Sequence, residues 1–406
     1  MKCEIGYPGR RLLTFDEAQQ RVLALAEVLP EERVSLAAAR GRVLAADVLA
    51  TSDWPAFDAS TMDGYAVRAA DVGGDEMPVT GESRAGAEAP DLATKSACRI
   101  FTGAPMPRGA DAVIMQEEAD RTSDRVKFRT KPAPGAFVRK RGDDLRGGEI
   151  ALAKGTRVSA SGVAMLASLD YAEATVARAP RVAIVPTGDE LRAPGAPGGP
   201  ASIAESNSPA LAAMAERAGA KVTTMAPVRD ELELVKRAFD EALGSCDVLV
   251  TIGGVSVGEH DVVKEALEAC GVRLDFWRVA IKPGKPLAVG KRGKAIVLGL
   301  PGNPVSAMVT FALFGVPLLR AMQGDRAALP RPSRMKLAAA AAHKTGRLEL
   351  ARARLSKEGV TILPNQASGA IVGLCRADVL ASIPADVERL DAGAEIDVFS
   401  LAELGL

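Results

Sequence analysis

The sequence has little of what most often announces a function. It has two histidines, His260 and His343, and five cysteines, Cys3, Cys98, Cys246, Cys270 and Cys375, with no CxxC spacing among them. That argues against a Cys/His zinc site and against a disulfide scaffold. Aromatic residues make up 4%, too few for a base-stacking platform. Lys plus Arg is 51 and Asp plus Glu is 51, so the net charge is zero and no broad basic face for nucleic acid is expected. The opening MKCEIGYPGRR lacks an apolar signal core. No apolar run reaches membrane-span length, since Val305–Leu319 contains Pro317 and meets Arg320. A soluble, cytoplasmic protein with no nucleic-acid or membrane partner is expected. Ser256 lacks a GxSxG elbow and no Ser-His-Asp or Cys-His arrangement is visible, so no covalent nucleophile is expected.

What is present centres on DVLVTIGGVSVGEHD, residues 247–261. Val248–Ile252 reads as a buried strand, Gly253 and Gly254 stop it, and Asp261 opens a run with helical spacing. Glycines let backbone approach a ligand, and a helix start offers free N–H groups to an anion. The loop matches neither GxGxxG nor GxxxxGK[ST]. Two more apolar runs end in similar loops: Arg181–Val185 runs into Pro186-Thr187-Gly188-Asp189-Glu190, and Ala295–Leu300 into Pro301-Gly302-Asn303-Pro304. Helical stretches at Pro209–Ala218, Glu231–Leu243 and Val305–Met322 alternate with them. That alternation predicts a mostly parallel sheet with its ligand-binding loops on one rim.

At 406 residues the chain should hold two to four domains. Thr14-Phe15-Asp16-Glu17 is a capping box that predicts a helix to about Leu29, and Leu36–Leu49 reads as a second amphipathic stretch. From Thr51, short extended runs between Gly and Pro breaks predict a small β domain, a barrel in form. The triplet Arg139-Lys140-Arg141 beside Asp143 and Asp144 reads as a solvated surface. Glu149–Tyr171 returns to a helical pattern, and Ala174–Arg178 reads as a linker. From Met335 the tail is extended again, a second small β domain. The fold class expected from these runs is α/β plus β, multidomain.

Asp63, Asp144, Asp189, Glu190, Asp230 and Asp261 lie in loops. Magnesium takes few carboxylates and shares phosphate oxygens with its ligand, so a glycine-lined rim carrying acids and lysines suits a magnesium–phosphate site. Lys282 and Lys285 sit in the stiff KPGKP frame, where two close ammonium groups would welcome an anion. On the residues alone, a metal-assisted enzyme and a binder of a phosphorylated small molecule both fit.

The segments WPAFDASTMDGYAV, RIFTGAPMPRGADAVIMQEE, RKRGDDLRGG, IVPTGDEL, VTIGGVSVGEHD, IKPGKP and LPGNPVSA occur in this order. They closely resemble signature segments of the molybdopterin molybdenumtransferase family, the MoeA type, to which the gephyrin E domain is related. The resemblance implies insertion of molybdate into adenylylated molybdopterin, giving molybdenum cofactor and AMP, with Mg2+. It implies an elongated homodimer, with other molybdenum cofactor biosynthesis proteins as further partners. It also implies four parts: a discontinuous helical scaffold domain (1–50 and 143–180), an inserted β domain (51–142), the α/β molybdopterin-binding domain (181–326) and a C-terminal β-barrel domain (327–406). Motif by motif, functional positions fall on Asp63, Thr102, Asp144, Glu190, Asp230, Asp261, Lys282 and Lys285, with Glu190, Asp230 and Asp261 as metal ligands. Cofactor-binding positions fall on Thr187, Gly188, Gly253, Gly254, Ser256, Gly258, Pro301, Gly302, Asn303 and Ser368. Two departures stand out: Glu205-Ser206-Asn207 replaces an Asp-Thr-Asn or Asp-Ser-Asn pattern, and Gln366-Ala367-Ser368 replaces Gln-Gly-Ser. Arg347 and Arg352 keep the tail's basic pattern.

Overall fold

Alternation of side chains along a strand lets one apolar run serve two cores. In Val248–Ile252, the side chains of Val248, Val250 and Ile252 join one hydrophobic cluster and Leu249 joins another. The computed structural model describes residues 12–254 and 262–406. Its central six-stranded sheet runs in the order Lys221–Thr224, Arg181–Pro186, Val248–Ile252, Ala295–Leu300, Pro286–Arg292, Arg273–Arg278. The first four strands are mutually parallel, and the last two pairings of the sheet are antiparallel, so Pro286–Arg292 alone runs against the rest. Helices Asn207–Arg217 and Pro304–Met322 cover one face, and helices Leu232–Leu243 and Val262–Ala269 cover the other. This is the mostly parallel, two-faced α/β arrangement expected from the alternating runs.

The helix Pro304–Met322 has 19 residues and mean hydropathy 1.7, long and apolar enough to cross a membrane by length and composition. This corrects the expectation that no apolar run here reaches membrane-span length, while the helix itself runs as expected. A π-helical turn at Phe311–Gly315 precedes Pro317, and the helix continues past both. Its apolar composition has a different cause: 89% of its most apolar stretch is buried inside the fold, in the core beneath the sheet.

The contacts divide the chain into two compact units. One comprises Asp47–Lys154 and Ser161–Ala172. The other holds the rest of the described chain, and Gly155–Ala160 returns to it between those two stretches. The first unit carries a six-stranded sheet in the order Ala112–Met115, Gly64–Val67, Ala97–Ile100, Met77–Ser83, Arg125–Phe128, Ala119–Thr122. Ala119–Thr122 and Arg125–Phe128 form a hairpin, with Thr122 opposite Arg125.

In the second unit, Leu348–Ser356, Val379–Ile383, Glu395–Ser400 and Ser333–Lys336 form the C-terminal sheet, with Gly359–Ile362 paired on its long strand. Ile281–Lys282 adds to this sheet in parallel, while Pro286–Arg292 belongs to the central one. The KPGKP segment therefore bridges two sheets, which local sequence could not show.

Three N-terminal expectations are corrected. The capping box at Thr14 and Glu17 forms, but its helix is Phe15–Ala24 and stops short of Leu29. Leu36–Leu49 holds one helical turn, Leu36–Ala39, not a long amphipathic helix. Ala174–Arg178, read as a linker, falls largely within the strand Glu173–Ala177, antiparallel to Glu31–Ser35. Likewise the helical pattern of Glu149–Tyr171 narrows to Ala160–Ser168, and Ile150–Leu152 pairs with Val48–Leu49. Non-local pairing overrides propensity in each case.

Candidate active site

The site follows from where the parallel strands end. Arg181–Pro186, Val248–Ile252 and Ala295–Leu300 all point their carboxyl ends the same way. The loops that leave them line one cavity of about 400 Å³. Thr187, Gly188 and Glu190 come from the first loop, Gly253 and Gly254 from the second, and Pro301, Gly302 and Asn303 from the third. Asp230 comes from the segment before helix Leu232–Leu243. Ser256, Gly258, His260 and Asp261 lie outside the described residues.

Two glycines are required sterically. A Cβ on Gly253 would stand 2.5 Å from the Thr187 carbonyl oxygen, and one on Gly254 would stand 2.3 Å from Val263 Cγ2. Both have positive φ, +91° and +60°. Thr187 is 3% exposed, and its N–H donates to the Ile252 carbonyl at 2.9 Å. The first and second loops are thereby locked together.

The acids define one wall. The Asp230 N–H donates to Asp189 Oδ1 at 3.2 Å. Desolvation raises the Asp230 carboxyl above its ordinary value, and the nearby charges of Asp189 and Glu190 raise it further. A divalent cation would relieve that repulsion, so these oxygen donors fit Mg2+ chemically. Among the described residues no group of three or more His, Cys, Asp or Glu is placed to hold a metal ion, and Asp261 lies outside those residues.

Glu205, the departure from the family pattern, is 5% exposed and lines the same cavity. Its Oε1 accepts from the Asn207 and Ser208 N–H groups at 2.8 and 2.9 Å, satisfying two donors at the start of helix Asn207–Arg217. The Asn207 side chain reaches across to the third loop, and its Oδ1 is buried without a partner. Sequence reasoning missed Asn207 as a site residue. An Asn-Ser-Pro run opening a helix beside a variant acid was the available signal.

The other expected residues stand elsewhere. Lys282 and Lys285 do not line this cavity, although Pro286 does. Lys282 Nζ sits 2.8 Å from Glu349 Oε1, so the two lysines do not simply face one another. The Ser368 carbonyl accepts from the Val305 N–H at 3.0 Å, at the start of the helix after the third loop. Arg352, 2% exposed, donates to the carbonyls of Asn365 and Ala367 and shapes that tail loop from within. Buried Arg352 therefore acts on backbone and not as a surface cation.

The other unit holds Asp63, Thr102 and Asp144. Asp63 Oδ1 accepts from the Thr102 N–H at 2.8 Å and from its hydroxyl at 2.9 Å, and these bonds lower its carboxyl pKa. Asp144 pairs with Arg139, Lys140 with Asp58 and Arg141 with Asp53. The basic triplet is thus the exposed, ion-paired surface expected.

Comparison with known proteins supplies the remaining observation. Residues 13–169 match the model of the "MoeA N-terminal region (domain I and II)", 183–321 that of the "Probable molybdopterin binding domain", and 334–401 that of the "MoeA C-terminal region (domain IV)". Molybdopterin molybdenumtransferase 2 of Mycobacterium tuberculosis is 36% identical, covering 96% of this chain and 99% of that protein.

The chain belongs to the MoeA family of molybdopterin molybdenumtransferases.

As a member of this family it is a transferase. The Haemophilus influenzae molybdopterin molybdenumtransferase is 38% identical over 78% of this chain and 79% of its own. A crystal structure of the Pyrococcus horikoshii OT3 molybdopterin biosynthesis MoeA protein superposes with a TM-score of 0.83 at 29% identity, covering 96% of this chain and 100% of that one. The MoeA fold, multidomain mixed α/β with β-rich domains, is the fold described above.

Proposed function

We propose that this MoeA-family chain inserts molybdate into adenylylated molybdopterin, releasing AMP and leaving molybdenum cofactor, with Mg2+ at the acidic wall. The observation that carries this reading is the convergence of three strand-end loops on one cavity beside Glu190 and Asp230. In our reading the glycine backbone at Gly253 and Gly254 cradles the pterin phosphate, with Ser256 and Gly258 continuing that loop. Pro301, Gly302 and Asn303 form the opposite lip, and the Ser368 loop backs it. Glu190, Asp230 and Asp261 would hold the metal, which supplies charge neutralisation for the phosphoanhydride. Asp63, Thr102 and Asp144 complete the functional set, with Lys282 and Lys285 as cations for the anionic groups. The protein's task is orientation and charge stabilisation; the thiolate chemistry belongs to the pterin.

We read the chain as the four parts given above, working as a cytoplasmic homodimer alongside other molybdenum cofactor biosynthesis proteins. The deciding experiment measures AMP release from adenylylated molybdopterin by the purified protein with magnesium, with and without molybdate. Molybdate-dependent AMP release is expected. Nucleotide release from ATP without any pterin would point to a different phosphoryl-transfer enzyme.

A further inference from the structure

A second cavity, of about 350 Å³, lies in the same unit as the first and is lined by Lys282, His343, Lys344, Glu349 and Gln366 among others. Its charged centre is Glu349. The Glu349 side chain is only 8% exposed, and a buried carboxylate is tolerated only when paired. Strand register fixes its place: Glu349 stands opposite Lys282 on one side and Ile383 on the other. Lys282 Nζ lies 2.8 Å from Oε1, and His343 Nε2 lies 3.5 Å from Oε2. The His343 ring is held from behind. Its Nδ1 is 2.8 Å from the Val387 carbonyl, an acceptor, so Nδ1 carries a proton, while the buried Nε2 near Glu349 has no hydrogen-bond partner among the described residues.

The pair is asymmetric, because the carboxylate is dry while the lysine side chain is 43% exposed. One ammonium proton is committed to Glu349, and the others remain available at the cavity mouth. A wet lysine normally samples many rotamers, and a fixed acceptor removes that freedom before a ligand arrives. Among the described residues no ion pair involves Lys285, three residues on, whereas Lys282 is held by Glu349.

We propose that Glu349 is a positioning residue: it holds the Lys282 ammonium at the mouth of this cavity and so fixes where that lysine meets the substrate's anionic group. The inference rests on the reading of Lys282 as a lysine that contacts substrate.

The test compares full-length wild type, Glu349→Gln, Lys282→Met and the double variant, by kcat and KM for molybdate-dependent AMP release and by thermal melting. Glu349→Gln should lower kcat/KM by about tenfold. The same change made in Lys282→Met should alter the residual activity by less than about twofold, because Glu349 acts through the missing lysine. Lys282→Met alone should melt below the double variant, since it strands a buried carboxylate. Glu349→Asp keeps the charge but withdraws it by one methylene, so it should recover melting temperature more fully than kcat/KM. Equal losses from Glu349→Gln in both backgrounds would overturn the proposal, as would parallel recovery of stability and activity in Glu349→Asp. An unimpaired Glu349→Gln beside an impaired Lys282→Met would overturn it while leaving the lysine's role intact. An unimpaired Lys282→Met would remove both.

Discussion

The side-chain amide of Asn207 donates to the Gly302 carbonyl at 2.8 Å, joining positions 95 residues apart. One end is the start of a helix whose first donors are satisfied by Glu205, and the other is the third loop of the cavity. One hydrogen bond between side chain and backbone thus links two walls of the cavity directly.

Asn207→Ala should remove that bond and leave the Gly302 carbonyl without this donor. A loss of about 1 kcal/mol in stability is expected, the ordinary worth of such a bond. KM for the pterin substrate should rise several-fold while kcat changes less. Urea unfolding with steady-state kinetics checks both, and an unchanged KM would show that the loop holds its place without Asn207.

Asp63 and Gly64 are neighbours in one motif with opposite expected fates. A Cβ on Gly64 would lie 1.9 Å from the Ile114 carbonyl oxygen in the paired strand, so Gly64→Ala should unfold this sheet or cost at least about 3 kcal/mol. The exposed Asp63 carboxylate accepts only from Thr102 among the described residues, so Asp63→Asn should stay folded and lose activity. Circular dichroism melting separates the two; similar melting points would sink the distinction.

Asp230 carries a testable sign. Its carboxyl is raised in the folded protein, so the fold binds its proton more tightly than the unfolded chain does. Its contribution is favourable at low pH and is lost as pH rises from the ordinary value through the raised one. At neutral pH the ionised group therefore opposes the metal-free fold, and Asp230→Asn should melt slightly higher without metal. Adding Mg2+ should raise the melting temperature of wild type more than that of the variant, and chelation should erase the difference in gain. Equal Mg2+ responses would exclude Asp230 from metal binding.

Asp247 has the opposite sign. Burial raises its carboxyl, but hydrogen bonds from Arg178 and Arg181 outweigh that and bring it from 3.8 to about 2. Its contribution is complete above pH 3.8 and is lost as pH falls toward 2. Asp247→Asn should cost about 2 kcal/mol at pH 7, and the gap from wild type should shrink below pH 4. Chemical denaturation across that pH range gives the measurement; a pH-independent gap would assign the loss to something other than charge.

The rim was legible in the sequence because its signals are local. Each loop at Thr187, Gly253 and Pro301 follows a short apolar strand, and parallel strands carry their carboxyl ends to one edge. The Lys282–Glu349 pair was not legible, because it needs the parallel pairing of Ile281–Lys282 with Leu348–Glu349. Arg352 fitted the tail's basic pattern, but nothing local reports that it is buried against the carbonyls of its own tail loop. Ala174–Arg178 looked like a linker because Glu31–Ser35, the partner of the strand Glu173–Ala177, lies far upstream.

That last pairing bears on how the chain is made. Glu31 leaves the ribosome 146 residues before its partner Ala177, and the unit of Asp47–Lys154 and Ser161–Ala172 is synthesised in between. At ordinary translation rates the early strand waits on the order of ten seconds with both edges open. An open apolar edge would be a hazard over that interval, yet Glu31, Glu32 and Arg33 make this strand mostly charged. Its composition keeps a nascent segment from recruiting the wrong neighbour until the right one is translated.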